Sequence, residues 1–173
     1  MINIFIVLRD GEVLMPEVIK GIAKQTEECC VIPITSKGKA GKSFERNSRI
    51  NKKNNLLRAI ELAKDYFLLM DSDVVLDDEN IIREMFDDTK NFNRNIVAVT
   101  TKNEQIKTCR SFIPHSLMLL KGEEISNFKE FLLNLKNFKY CSVCLYVQSN
   151  ADKVMNLENH KIRECKRIDL NAI

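Results

Sequence analysis

Several features are missing from this 173-residue chain, and each absence narrows what it can be. No apolar run approaches the roughly 20 residues that cross a bilayer as a helix, so no transmembrane segment is expected. No signal peptide is evident either, because the apolar residues 4–8 are followed at once by Arg9 and Asp10. The reading is therefore a cytoplasmic protein whose six cysteines are reduced. Repeats, low-complexity tracts and an obvious linker are also absent. With 45% hydrophobic and 29% charged residues, the chain is long enough for one core and short for two. A net charge of +3 does not call for a nucleic acid or a membrane surface, and no nucleic-acid partner is expected.

What is present is an uneven distribution of charge. Residues 36–64 carry nine Lys/Arg against two acids, whereas residues 71–88 carry eight acids against Arg83 alone. A polyanion bridged by a metal ion would use both blocks, and solvated helix faces would show the same pattern. The acidic block opens with Tyr66-Phe67-Leu68-Leu69-Met70-Asp71-Ser72-Asp73, an apolar run that stops at two aspartates one residue apart. The run has the length of a buried parallel strand, and acids at its carboxyl end face the crevice where open α/β sheets bind ligands. Two carboxylates there suit Mg²⁺ or Mn²⁺, which take their remaining ligands from substrate phosphates and water.

Strand and helix patterns alternate along the chain. Strands are expected at 2–8, 29–35, 66–70, 96–100, 116–120 and 140–147. Helices are expected at 16–26, 54–64 (with a less regular run back to Phe44), 77–86 and 125–135. Pro16 suits a first helical turn, and Asp77 or Asp78 suits the cap of the third helix. This order implies an α/β fold with a mostly parallel sheet and helices on both faces.

Residues 2–8, the helix ending Lys24-Gln25-Thr26, and above all the stretch from Arg58 through Asp71-Ser72-Asp73 resemble the nucleotide-binding half of a family 2 type glycosyltransferase with the GT-A fold. The resemblance implies a single Rossmann-like GT-A domain over 1–173, a three-layer sandwich with a nucleotide-binding half at 1–100 and an acceptor side at 101–173. It implies a UDP- or GDP-sugar donor, an acceptor hydroxyl, and Mn²⁺ or Mg²⁺. Asp73 would bind the metal and act in catalysis, and Asp71 would contact the metal or the donor ribose. Arg9, Ser36, Lys42 and Asn55 would meet the nucleotide sugar. His160, in a carboxyl-terminal stretch that resembles the late strand of these enzymes, would complete the metal shell. Three departures from the family pattern stand out. The second strand ends in Thr35-Ser36-Lys37 where the family has acids, the helix before the motif has Asn54-Asn55 where the family has Arg-Asn, and Glu130 stands without the Glu-Asp pair of the catalytic base. Lys42, Arg46 or Lys53 would replace the missing cation, and the acceptor face would be either open or completed by a partner subunit or a second copy.

Two other motifs point elsewhere. Ser36-Lys37-Gly38-Lys39-Ala40-Gly41-Lys42-Ser43 ends like a phosphate-binding P-loop and would make the chain an NTPase, but Ser36 stands where the first glycine belongs. Cys141, Cys144, His160 and Cys165 have spacing near that of a structural zinc site, but strand composition around the first two favours packed core cysteines. A GT-A domain that binds without catalysis is the remaining alternative, motivated by the missing base.

Overall fold

The computed structural model describes residues 1–9, 11–35, 44–99, 116–138, 142–150, 153–156, 162–165 and 168–169. Its centre is a six-stranded sheet built from β1 (Ile2–Val7), β3 (Cys29–Ile34), β4 (Tyr66–Met70), β6 (Ile96–Val99), β7 (Leu117–Lys121) and β8 (Val154–Asn156). The order across the sheet is β3-β1-β4-β7-β6-β8. All pairings are parallel except those of β7, which runs antiparallel to both β4 and β6. The mostly parallel sheet expected from the alternating pattern is thus present, with one reversed strand at its centre.

Side-chain alternation sorts the core into two layers. Ile4, Ile6, Leu68 and Met70 face one way and pack with Val18 and Ile22 of α1 (Pro16–Ala23) and with Ile81, Ile82 and Met85 of α3 (Ile81–Asn91). Phe5, Phe67 and Leu69 face the other way. They meet Leu56, Ala59 and Ile60 of α2 (Phe44–Leu62), Phe128 and Leu132 of α4 (Glu123–Asn134), and Val143, Tyr146 and Val147 of α5 (Ser142–Ser149). A row of rings crosses this second layer. Phe5 stacks on Phe67 at 5.3 Å, Phe67 meets Phe128 at 6.2 Å, and Phe128 meets Tyr146 at 4.8 Å between centroids. The result is the three-layer sandwich expected.

The stretch 140–147, expected as a strand, is a correction. Residues 142–149 form α5, because Val143, Tyr146 and Val147 have the i, i+3, i+4 spacing that turns one helical face onto the core. The cap of α3 also differs. Asn80 is its N-cap residue, and Asp78 instead accepts the Asn80 N–H at 2.9 Å to shape the turn before it. Gln25 supplies the remaining order: its Oε1 accepts the Ile82 N–H at 3.3 Å, and its Nε2 donates to the carbonyls of Gly21 at 3.2 Å and Asp78 at 2.8 Å.

Two small sheets complete the frame. β2 (Glu12–Val13) pairs with β10 (Ile168–Asp169), and β5 (Val74–Leu76) pairs with β9 (Ile162–Glu164), both antiparallel. Neither pairing was visible in the sequence pattern, since each strand has only two or three residues. Among the described residues no helix is long and apolar enough to cross a membrane.

Candidate metal and nucleotide site

The Asp71-Ser72-Asp73 segment forms the turn between β4 and β5, at the carboxyl end of a central strand. Four backbone bonds fix it. Asp71 N–H donates to the Ser116 carbonyl at 3.0 Å, and Ser116 N–H donates to Val99 at 2.8 Å, so the β4–β7–β6 ladder continues to the first residue of the motif. Val74 N–H closes the turn on the Asp71 carbonyl at 3.2 Å. Cys165 N–H, arriving from β9, donates to the Asp73 carbonyl at 2.7 Å.

Ser72 is buried at 6% exposure, whereas Asp71 and Asp73 are half-buried. The turn therefore drives its middle side chain inward and leaves the flanking carboxylates partly exposed. Two carboxylates so placed fit a hard divalent cation that draws its other ligands from phosphates and water. Among the described residues no cluster of three or more acidic, histidine or cysteine side chains makes a self-sufficient metal cage.

The neighbouring strand contributes the rest. β1 lies beside β4 with Ile6 opposite Met70, which brings the end of β1 next to the turn. Arg9 is exposed there, and the backbone reverses between Arg9 and Glu12, with the Glu12 N–H on the Arg9 carbonyl at 3.1 Å and Gly11 at φ +76°. The Glu12 carboxylate accepts the Arg9 N–H at 2.8 Å through one oxygen and a hydrogen bond from the Ser72 hydroxyl through the other. Sequence reasoning missed Glu12, because its partner lies 60 residues away and no local pattern links the two.

Cys165 sits close to the motif as well. Burial first, then the charges of Asp73 and Glu17, push its thiol pKa up against the opposing pull of Arg163. Arg163 of β9 holds the outer rim by ion pairs to Glu17 at 3.3 Å and Asp77 at 3.1 Å.

The other expected site residues fall in different places. Asn55 is 5% exposed on α2, and Glu130 is exposed on α4. Ser36, Lys42, Ser43 and His160 lie outside the described residues, as does Cys141 of the zinc spacing, while Cys144 is buried on α5. The structure thus brings Arg9, Asp71 and Asp73 to the carboxyl end of the neighbouring strands β1 and β4 and adds Glu12, Ser72 and Cys165.

No family model matches the chain. No curated protein matches it. Solved structures do. A mannosyltransferase from Pyrobaculum calidifontis, in complex with GDP-Man and Mn²⁺, superposes at a TM-score of 0.64 with 11% identity over 91% of this chain and 55% of that one. Glucosyl-3-phosphoglycerate synthase from Mycobacterium tuberculosis, in complex with Mn²⁺, UDP-glucose and phosphoglyceric acid, gives 0.61 with 11% identity over 99% and 73%. A glycosyltransferase involved in glycosylation of the major capsid of PBCV-1 gives 0.51 with 13% identity over 91% and 82%. The chain therefore has the GT-A fold of these glycosyltransferases, though it spans only about half of the mannosyltransferase chain.

Proposed function

We propose that the chain is a metal-dependent glycosyltransferase that moves a sugar from a UDP- or GDP-sugar to an acceptor hydroxyl. The observation that carries this reading is the pair of half-buried carboxylates, Asp71 and Asp73, on a backbone-locked turn at the carboxyl end of a central strand of a GT-A sheet. Structural neighbours of the same fold were solved with Mn²⁺ and GDP-Man or UDP-glucose, which supports the same donor chemistry here.

In this reading Asp71 and Asp73 hold Mn²⁺ or Mg²⁺, with His160 as a further ligand. The cation neutralises charge on the departing diphosphate. Arg9, exposed at the end of β1, faces the donor, and Ser36, Lys42 and Asn55 are the further donor contacts proposed. An acceptor hydroxyl attacking the anomeric carbon must lose its proton, and Glu130 is the carboxylate proposed to take it. In this reading the chain works in the cytoplasm, and a partner subunit or a second copy completes its acceptor face.

Isothermal titration with UDP, GDP, dTDP and ATP, each with Mn²⁺ and with EDTA, tests the reading. The expected result is binding of UDP or GDP that requires Mn²⁺ and is lost in Asp73→Ala. Nucleotide binding that Asp73→Ala leaves unchanged would overturn it.

A further inference from the structure

We propose that Glu12 is a positioning residue of the metal site: its carboxylate, holding the buried Ser72 hydroxyl, sets the turn that presents Asp71 and Asp73 to a divalent cation. This inference rests on the metal-dependent reading above.

Both ends of the Glu12–Ser72 contact are themselves fixed. On the Glu12 side, one carboxylate oxygen accepts the Arg9 N–H at 2.8 Å, the Glu12 N–H returns to the Arg9 carbonyl at 3.1 Å, and the residue pairs with Asp169 in the β2–β10 ladder. The second oxygen is left pointing at Ser72. On the Ser72 side, the side chain is buried between two half-buried aspartates, so a hydroxyl held by Glu12 anchors the middle of the turn from within. A buried hydroxyl needs an acceptor, and an ionised carboxylate is a strong one.

The backbone bonds described for the turn do not do this work alone. They fix Asp71 at the ladder and Asp73 at Cys165, and both act on main-chain atoms. Glu12 acts on the residue between them, from a different strand, and its side chain joins the reversal that carries Arg9 to the middle of the Asp71–Asp73 turn. Groups that orient metal ligands without touching the metal commonly change its affinity by about 10- to 100-fold when removed.

The test measures Mn²⁺ affinity directly, from the electron paramagnetic resonance signal of the free ion, alongside titration of UDP and GDP with Mn²⁺ and with EDTA. Glu12→Ala and Ser72→Ala are each expected to weaken Mn²⁺ binding about tenfold or more. The double variant is expected to lose no more than the worse single variant, because both remove the same contact. Glu12→Gln keeps an acceptor for Ser72 and is expected to fall between wild type and Glu12→Ala. Affinity equal to wild type in folded Ser72→Ala, with wild type binding Mn²⁺ and nucleotide, would overturn the positioning role and leave the glycosyltransferase reading standing. An equal loss of nucleotide binding with Mn²⁺ and with EDTA would also overturn it, since that marks a general defect. Wild type that binds neither would overturn both. If Glu12→Ala fails to fold, Ser72→Ala decides.

Discussion

Glu124 is a fully buried carboxylate, and three donors account for its ionisation. Lys153 Nζ lies 2.6 Å and Asn127 Nδ2 3.3 Å from one oxygen, and the Tyr146 hydroxyl donates to the other at 2.8 Å. Burial alone would raise its pKa, but the hydrogen bonds from Lys153 and Tyr146, the Lys153 charge and Asn127 outweigh it, so the net direction is down. Burial and the same carboxylate push the Tyr146 pKa well up, which keeps its hydroxyl a donor. A carboxylate with a folded pKa below its unfolded one adds stability above the unfolded value of about 4.3, and that stability is lost as the pH falls through the folded value. Urea denaturation between about pH 3 and about pH 7 should therefore show an acid-side decline in wild type that is shallower in Glu124→Gln. At neutral pH the variant should be less stable by about 1.5–3 kcal/mol, the range for hydrogen bonds to a charged group. This cluster follows the end of β7 that lies away from Asp71, since Lys121 of β7 pairs with Tyr66 at the start of β4. Its role is to tie α4 to α5, and Glu124→Gln should leave Mn²⁺ binding unchanged. The two aspartates were legible in sequence because a strand and its terminating acids are contiguous. Glu12 and Glu124 were not, because a side chain's partner across 60 or 22 residues leaves no periodic trace.

At the scale of elements, the position of the candidate site depends on how closely α1 lies on β5. A Cβ built on Gly21 would stand 2.8 Å from the Leu76 carbonyl oxygen and 2.9 Å from its nitrogen, so the helix rests directly on strand backbone. Those atoms cannot rotate away as a side chain would. Gly21→Ala must push α1 off the strand that follows Asp73, at a cost of about 1–3 kcal/mol typical of overpacking. Thermal or urea denaturation checks this, and a variant as stable as wild type would show that the helix can shift freely. The intrinsic gain of replacing a helical glycine with alanine, about 0.8–1.0 kcal/mol, acts in the opposite sense and is the smaller effect. Strand and helix order was readable because apolar residues at period 2 or 3.6 must face a core. The misread element shows where that logic gives way. Residues 140–147 are rich in tyrosine and valine, which suit a strand, yet the packing of Val143, Tyr146 and Val147 against Phe128 and its neighbours overrides the preference. The short strands β2, β5, β9 and β10 carry too few residues to show any period.

For the molecule as a whole, the sign of the charges around the Asp71–Asp73 turn sets what the proposed nucleotide binding requires. Residues 71–88 are strongly acidic, and a diphosphate brought to Asp71 and Asp73 meets carboxylates of its own sign. The Arg9 charge offsets part of that repulsion, and a divalent cation between the carboxylates and the phosphates would reverse it. The basic stretch 36–64 can attract the anion from a distance without supplying the short-range bridge. Metal and nucleotide should therefore bind as a coupled pair. A ligand that binds only the folded state stabilises it by about 2.7 kcal/mol at a hundred times its Kd. For a chain of this size that amounts to a rise of roughly 5–11 °C in melting temperature. The expected melting pattern is a small shift with Mn²⁺ alone, almost none with UDP or GDP in EDTA, and a shift larger than the sum of the two when both are present. A shift from nucleotide in EDTA that matches the shift with Mn²⁺ would mean that the basic stretch holds the phosphates directly, and the acidic turn would then have no part in donor binding.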